Sequence, residues 1–299
     1  MKSEGLKMIV WAVLFIVLTV GPVFAVEVDS DKDGFNDQVE GVDGIHMEND
    51  MELLIHSGNS RFIGVCPAQP PNRVKCVDKN SPDLFVIIIP PTSGTSRFPS
   101  PSSESELNDF FSGISGRLGV TVHPARQDTN TVPRPREVKD GQHAVTVTEN
   151  NTATANVPFG YTAQIGTPND LDSSIVYTLN IAKSLCDTCC KNCWEETTLE
   201  CADTDWNLCT DNSEPTPRTG DEMLKRYIWW VNNHEIGHDV FLAQNWEGDP
   251  TEPEHYSAEA EVMMSKSVIY VKREKKFYIP DGFSPQSLSD YQLEGSAYH

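Results

Sequence analysis

The stretch "WWVNNHEIGHDVFLAQ", residues 229–244, is the most informative part of this 299-residue chain. It holds two histidines, His234 and His238, four positions apart, with Glu235 directly after the first. Side chains four residues apart lie on one face of a helix, so both imidazoles can reach a single metal ion. The spacing therefore predicts a zinc site in which these histidines are two of the protein ligands.

The surrounding sequence predicts the helix that this spacing requires. Thr219 and Glu222 form a capping box at its start, and Gly248 and Pro250 in "NWEGDP" end it. The histidines then lie in the second half of a long, largely apolar helix. Glu235 lies beside them without being a ligand, a position that predicts a general base acting on water that zinc activates.

The HExxH helix resembles that of the zincin metallopeptidases, and the third zinc ligand has to be sought by comparison with them. In metzincins the motif extends to HExxHxxGxxH, but here Phe241 and Gln244 stand where the glycine and the third histidine would be. In gluzincins a glutamate on a later helix completes the site, and Glu259 and Glu261 in "SAEAEVMMS" are candidates.

The resemblance is closest to secreted bacterial zincin-like peptidases with HEIGH, a later "HY" and a "VMxx" segment. It covers residues 221 to about 270, together with the aspartate-rich loop of residues 29–40. It favours His255 in "EPEHYSAEAEVMMS" as the third ligand, with Glu259 as the alternative. Met263 or Met264 would then be the methionine of a turn beneath the zinc. The resemblance implies an α+β fold with a mixed β-sheet, a long active-site helix and a disulfide-rich insertion.

The N-terminus has the composition of a secretory signal peptide, residues 1–25. The apolar run "MIVWAVLFIVLTV" spans residues 8–20, and Val23 and Ala25 occupy the small-residue positions of a cleavage site. The run is shorter than the 20 or so residues that span a bilayer. We therefore expect a secreted or periplasmic protein without a stable membrane span after cleavage.

The charge excludes one class of partner. The net charge is −21, and removal of the signal peptide, with two lysines and one glutamate, would leave −22. Nucleic-acid binding is disfavoured, because contacts with phosphates require clustered Lys and Arg.

The eight cysteines, an even number in an exported chain, predict disulfides. Cys66 and Cys76 bracket a short loop and form the natural local pair. The other six lie in "CDTCCKNCWEETTLECADTDWNLC", residues 186–209, which we interpret as a disulfide-stapled insertion.

A calcium loop is predicted just after the cleavage site, in "DSDKDGFNDQVE", residues 29–40. Calcium prefers six to eight oxygen ligands, which this spacing wraps around one point, with a glycine at the sharp turn. The predicted ligands are the carboxylates of Asp29, Asp31, Asp33, Asp37 and Glu40, and the carbonyl of Phe35. Too little chain precedes the loop for an EF-hand, and the segment resembles the calcium repeats of the thrombospondin type 3 kind. Its expected role is structural.

The rest of the chain is divided by pattern. Residues 26–43 are the calcium loop, and residues 44–299 form the predicted peptidase domain. Predicted strands are "MELLI" (51–55), "LFVIII" (84–89), "LGVTVH" (118–123), "AVTVT" (144–148) and "SIVYTLNI" (174–181), with a late hairpin of "VIYV" and "KFYI". "LFVIII" is apolar on both faces and is expected at the sheet centre. "SIVYTLNI" is expected at its edge, where an extended substrate can pair, and "ELNDFFSGI" (106–114) is a predicted short helix.

The leading expectation is a secreted zinc endopeptidase acting on protein or peptide substrates, with Zn²⁺ and Ca²⁺ as cofactors. Two alternatives stay open. One is a calcium-bound surface or adhesion protein whose HExxH helix is not catalytic. The other is a secreted zinc hydrolase of non-peptide amides or esters.

Overall fold

The structure is a computed structural model of the chain. It describes residues 28–31, 33, 35–47, 51–55, 61–70, 72–100, 102–127, 145–152, 159–163, 173–189, 194–195, 200–201, 210–211, 220–239, 269–271 and 276–278. The predicted signal peptide, His255, Glu259, Glu261, Met263 and Met264 lie outside these ranges. Within them, no helix combines the length and apolar character that crossing a bilayer requires.

The described residues form both strands and helices. The strands are β1 Ile45–His46, β2 Met51–Leu53, β3 Phe62–Val65, β4 Cys76–Val77, β5 Asp83–Ile89, β6 Thr121–Gln127, β7 Val145–Asn150, β8 Gly160–Ala163, β9 Ser173–Tyr177, β10 Trp194–Glu195, β11 Glu200–Cys201, β12 Thr210–Asp211, β13 Ile269–Val271 and β14 Lys276–Tyr278. The α-helices are α1 Glu104–Phe110, α2 Ser112–Leu118, α3 Thr178–Cys189 and α4 Gly220–Asp239. A π-helical turn, Val39–Asp43, and a 3-10 turn, Arg73–Lys75, complete the described helical segments.

A six-stranded mixed sheet organises the chain, in the order β2-β6-β5-β7-β9-β8. The four central strands, β6, β5, β7 and β9, run parallel to one another. At the two ends of the sheet, β2 pairs antiparallel with β6 and β8 pairs antiparallel with β9. The parallel pair β5 and β6 is connected through α1 and α2. The predicted combination of a mixed sheet with a long helix carrying both histidines is confirmed, as is the central position of "LFVIII" in β5.

The sheet is covered on both faces, as the all-apolar sequence of β5 requires. On one face Leu84, Val86 and Ile88 join a core cluster formed with helices α1 to α4. On the other face Phe85 and Ile87 pack with the N-terminal segment and the small sheet of β1, β3 and β4. The helix with the histidines and the acidic loop therefore lie on opposite faces of one sheet.

Two further predicted features are present. The late hairpin forms, since β13 pairs antiparallel with β14, whose other neighbour is β12. The disulfide Cys66–Cys76 forms as predicted. Cys186, at the start of the cysteine-rich segment, is also disulfide-bonded, while most of that segment lies outside the described residues.

The prediction that "SIVYTLNI" is a single edge strand is wrong. The strand β9 stops at Tyr177, and Thr178 begins helix α3. A helix follows because the apolar residues after Thr178 recur at helical spacing and are buried. The Thr178 hydroxyl also donates a hydrogen bond to the buried Glu149, at 2.8 Å. The end of the described sheet on this side is β8, which pairs antiparallel outside β9.

The region predicted as one short helix, residues 106–114, consists of two helices. Ser103 caps α1, since its hydroxyl accepts a hydrogen bond from the Glu106 amide at 3.3 Å. The chain breaks at Phe111 and continues as α2, which ends at Gly119 in the left-handed conformation with φ 73°.

Candidate metal centres

The histidine-bearing helix α4 is fixed in place just before its first histidine. The Asn233 side chain accepts a hydrogen bond from the Ile114 amide at 2.9 Å and donates to the Phe110 carbonyl at 2.9 Å. One turn earlier, the Trp229 indole donates to the Ser112 hydroxyl at 3.0 Å. These bonds join α4 to the junction of α1 and α2, so the helix cannot easily rotate or slide.

His234 and His238 converge, as the sequence spacing predicts. Both are buried, with 4% and 3% of their surface exposed. Their Nε2 atoms lie 3.2 Å apart, and the two rings are nearly perpendicular, at 85°. For an ion about 2.0–2.1 Å from each nitrogen, the angle between the two nitrogen–metal bonds would be about 100–105°. This is close to the tetrahedral angle that zinc prefers. The pair therefore fits two adjacent ligands of one zinc ion.

Glu235, the next residue, lies about 100° around the helix from His234 and faces strands β8 and β9. The Thr162 hydroxyl of β8 donates to Glu235 Oε2 at 2.6 Å and lies 2.9 Å from the Ser174 hydroxyl of β9. Ser174 in turn donates to Asp239 Oδ2 at 2.8 Å. Because Glu235 and Asp239 are one helical turn apart, two neighbouring hydroxyls fix the rotation of this end of α4.

The setting of Glu235 is buried and closely packed. Burial raises the pKa of Glu235 to about 8, and the hydrogen bond from Thr162 lowers it in part. A Cβ atom on Gly160 would meet the Glu235 carboxyl group, so the glycine allows β8 to lie directly against α4. Strand β8 thus places a hydroxyl on Glu235 and leaves room for its carboxylate.

The third zinc ligand is not identified by the described residues. Across the ranges given above, no third His, Cys, Asp or Glu atom groups within 4.8 Å of both histidine nitrogens. The Glu235 carboxylate therefore does not group with the two histidine nitrogens. His255 and Glu259 lie outside the described residues.

A second candidate centre forms in the acidic loop. Carboxylate oxygens of Asp29, Asp31 and Asp33 lie within 4.8 Å of one another, and so do those of Asp33, Glu40 and Asp83. Asp83 is the first residue of β5 and was not predicted, because it lies 50 positions after Asp33. The one sequence signal for it is an aspartate at the start of a strand that is otherwise apolar.

Two predicted calcium ligands have other contacts. The Asp37 carboxylate accepts hydrogen bonds from the Ser30 amide and hydroxyl, both at 2.8 Å, and belongs to neither carboxylate group. The Phe35 side chain is buried against Phe85, with ring centroids 5.5 Å apart, and its amide donates to Asp33 at 2.8 Å. Phe35 therefore anchors the loop to the sheet.

Crowding of the carboxylates shifts their pKa values strongly. Burial, followed by the charge of Asp31, raises the pKa of Asp33 to about 8. Burial, followed by the charges of Asp33 and Asp31, raises the pKa of Glu40 to about 11. Burial also raises the pKa of Asp83, although the neighbouring His123 opposes this. The ionised cluster is therefore unfavourable without a compensating cation.

Comparison of the chain with protein-family models, curated protein sequences and solved structures gave no match.

Proposed function

We propose that this protein is an exported zinc-dependent endopeptidase with a zincin-like fold. One observation carries the proposal: two buried imidazoles, on consecutive turns of a 20-residue helix, face each other with Nε2 atoms 3.2 Å apart. The two Nε2 atoms lie in direct contact, and two neutral rings in this arrangement can share a proton or a cation. His234 and His238 would hold zinc together with one later ligand, for which His255 is favoured over Glu259.

The chemistry divides between the metal and Glu235. Zinc, when bound, supplies the Lewis acidity that lowers the pKa of water and polarises a carbonyl group. Glu235 takes the proton from the attacking water and passes it to the leaving amine. Thr162 and Ser174 hold the helix so that Glu235 keeps one orientation during this transfer.

The position of β8 supports a peptide as substrate. β8 is the last strand in the described sheet order on its side, and it also carries the hydrogen-bond partner of Glu235. An extended peptide can add to such an edge through backbone hydrogen bonds. It would then run beside the helix with the histidines, which favours peptide hydrolysis over cleavage of small amides or esters.

The test is metal content together with activity, measured on the same preparations. We expect about one zinc per chain in the wild type, and loss of zinc in His238→Ala. The matched control is His46→Ala, which removes an exposed histidine of β1 and should keep the metal. Glu235→Gln should keep zinc but lose most of its activity on unfolded protein substrates, by on the order of a hundredfold or more.

Each other outcome has a defined reading. One outcome is that the wild type holds zinc and yet cleaves proteins, peptides and small esters no faster than Glu235→Gln. That result would favour the non-catalytic surface protein. Cleavage of small esters or amides alone would favour the non-peptide hydrolase. Retained zinc in His255→Ala with loss in Glu259→Ala would reverse the choice of the third ligand.

A further inference from the structure

Glu40 is a buried carboxylate that lacks the usual donors. Its exposed fraction is 0%, and no N–H or O–H group of the described residues reaches either carboxylate oxygen. A buried carboxylate left without a partner is strongly unfavourable, so native proteins supply donors or a cation.

Glu149 shows how this protein satisfies a buried glutamate when no metal is involved. It is almost equally buried, and its carboxylate accepts from the Ser96 hydroxyl, from the Arg97 amide at 2.8 Å and from the Thr178 hydroxyl at 2.8 Å. Glu40 has none of these contacts and faces two further carboxylates, those of Asp33 and Asp83. The difference points to a cation at Glu40.

Asp31 repeats the pattern on the other side of Asp33. Both of its carboxylate oxygens are buried, and neither makes a hydrogen bond of normal length and angle with the described residues. Asp33 belongs to both carboxylate groups, so it joins them into one cluster that also contains Asp29. Its two oxygens accept from the Phe35 amide at 2.8 Å and the Asp83 amide at 2.7 Å, which fixes the carboxylate at the centre.

We propose that a calcium ion binds between the acidic loop and strand β5, with Asp83 as a ligand from the sheet. The loop contributes Asp31, Asp33 and Glu40, and Asp29 completes the carboxylate set. We choose calcium because it is a hard cation that accepts six to eight oxygen ligands without a strict geometry. Five carboxylates in two overlapping groups can supply most of these oxygens. Magnesium demands a regular octahedron and keeps its water.

This site differs from a self-contained twelve-residue loop. In such a loop position 9 contributes to binding, but here Asp37 is occupied by Ser30 and the remote Asp83 takes part. His123 orients Asp83, since its Nε2 lies 2.8 Å from Asp83 Oδ1 while Nδ1 lies 3.0 Å from the Val74 carbonyl. Metal binding therefore clamps the N-terminal segment onto the central strand of the sheet.

The experiment is calorimetric titration of the purified full chain, freed of metal by a chelator, with calcium chloride. We expect one site in the wild type, with at least about tenfold weaker affinity in Asp83→Asn and in Glu40→Gln. Asp37→Asn is the matched control, an identical substitution in the same loop but outside the cluster, and it should change the affinity by less than about threefold. Circular dichroism verifies that each variant is folded, and Glu40→Gln tests the site if Asp83→Asn does not fold.

The outcomes separate this proposal from the peptidase. Calcium affinity should be unchanged in His238→Ala, because the histidines lie on the other face of the sheet. No saturable calcium binding by the wild type would overturn the proposal, as would equal affinity for magnesium. Loss of binding in Asp37→Asn with wild-type affinity in Asp83→Asn would also overturn it, in favour of a self-contained loop.

Discussion

Replacing Thr162 with valine should destabilise the protein far more than removal of one hydroxyl group from a half-buried strand residue would otherwise do. The hydroxyl lies between two polar partners, Glu235 Oε2 at 2.6 Å and the Ser174 hydroxyl at 2.9 Å. Valine keeps the branched shape but supplies neither donor nor acceptor. Glu235, of which only 5% is exposed, would lose the hydrogen bond that this strand provides.

The magnitude depends on which group donates in each of these contacts. The Thr162 proton goes to Glu235 and the Ser174 proton goes to Asp239, so only the bond to Glu235 is counted. That bond contributes about 0.5–1.5 kcal/mol where Glu235, with its pKa of about 8, is protonated, and about 1.5–3 kcal/mol at higher pH where it is ionised. The free energy of unfolding of Thr162→Val should therefore fall by about 1–3 kcal/mol, a change of roughly 5- to 150-fold in the folded-to-unfolded ratio. If the peptidase proposal holds, the activity of the folded variant should also fall, by about a hundredfold, because Glu235 loses its fixed orientation.

Urea denaturation measures the effect, with Thr188→Val as the matched control. Thr188 is exposed on α3, and its hydroxyl donates to the Ser184 carbonyl of the same helix at 2.8 Å. The control should stay within about 0.5 kcal/mol of wild type. Equal midpoints for Thr162→Val and Thr188→Val, with unchanged slopes, would refute the claim that a hydroxyl of β8 holds Glu235.

Two further predictions concern the packing of β8 and the N-terminal disulfide. Gly160→Ala should lower the free energy of unfolding by about 1–3 kcal/mol, because the new methyl group meets the Glu235 carboxyl group. The control is Gly116→Ala in α2, whose new methyl group has no atom within 4 Å and should raise the free energy of unfolding by about 0.5–1 kcal/mol. Equal changes in the free energy of unfolding for the two variants would contradict the close approach of β8 to α4. Replacing both Cys66 and Cys76 with serine should cost about 2.5–3 kcal/mol from loop-closure entropy over a separation of 10 residues, and a thermal midpoint equal to wild type would rule this out.

The features that sequence predicted correctly depend on local pattern. The apolar run of β5 required cover on both faces, the spacing of His234 and His238 required convergence on one helix, and the short loop between Cys66 and Cys76 favoured their pairing. In each case the deciding residues lie within a few turns or one loop of each other.

The features that sequence did not predict depend on contacts between distant segments. Asp83 reaches the acidic loop because β5 lies in the sheet next to the N-terminal segment, a packing arrangement that no twelve-residue pattern contains. Strand β9 gives way to α3 at Thr178, whose hydroxyl donates to Glu149, 29 positions earlier. The edge strand is β8 because of sheet order, which depends on which strands pair and not on their composition.

The burial of the HExxH face weighs against the alternative in which these residues are incidental. Solvent-exposed histidines on an ordinary helix would keep their hydration and cost nothing. Here His234, Glu235 and His238 all lie out of water, on a helix whose rotation is fixed from both sides by side-chain hydrogen bonds. The Thr162 hydroxyl compensates the Glu235 carboxyl group, and the two imidazoles contact each other through their Nε2 atoms. Apolar side chains would fill the same three positions without any polar group to satisfy, so a polar set held in one orientation is what we expect if the proposed metal-binding and catalytic role holds.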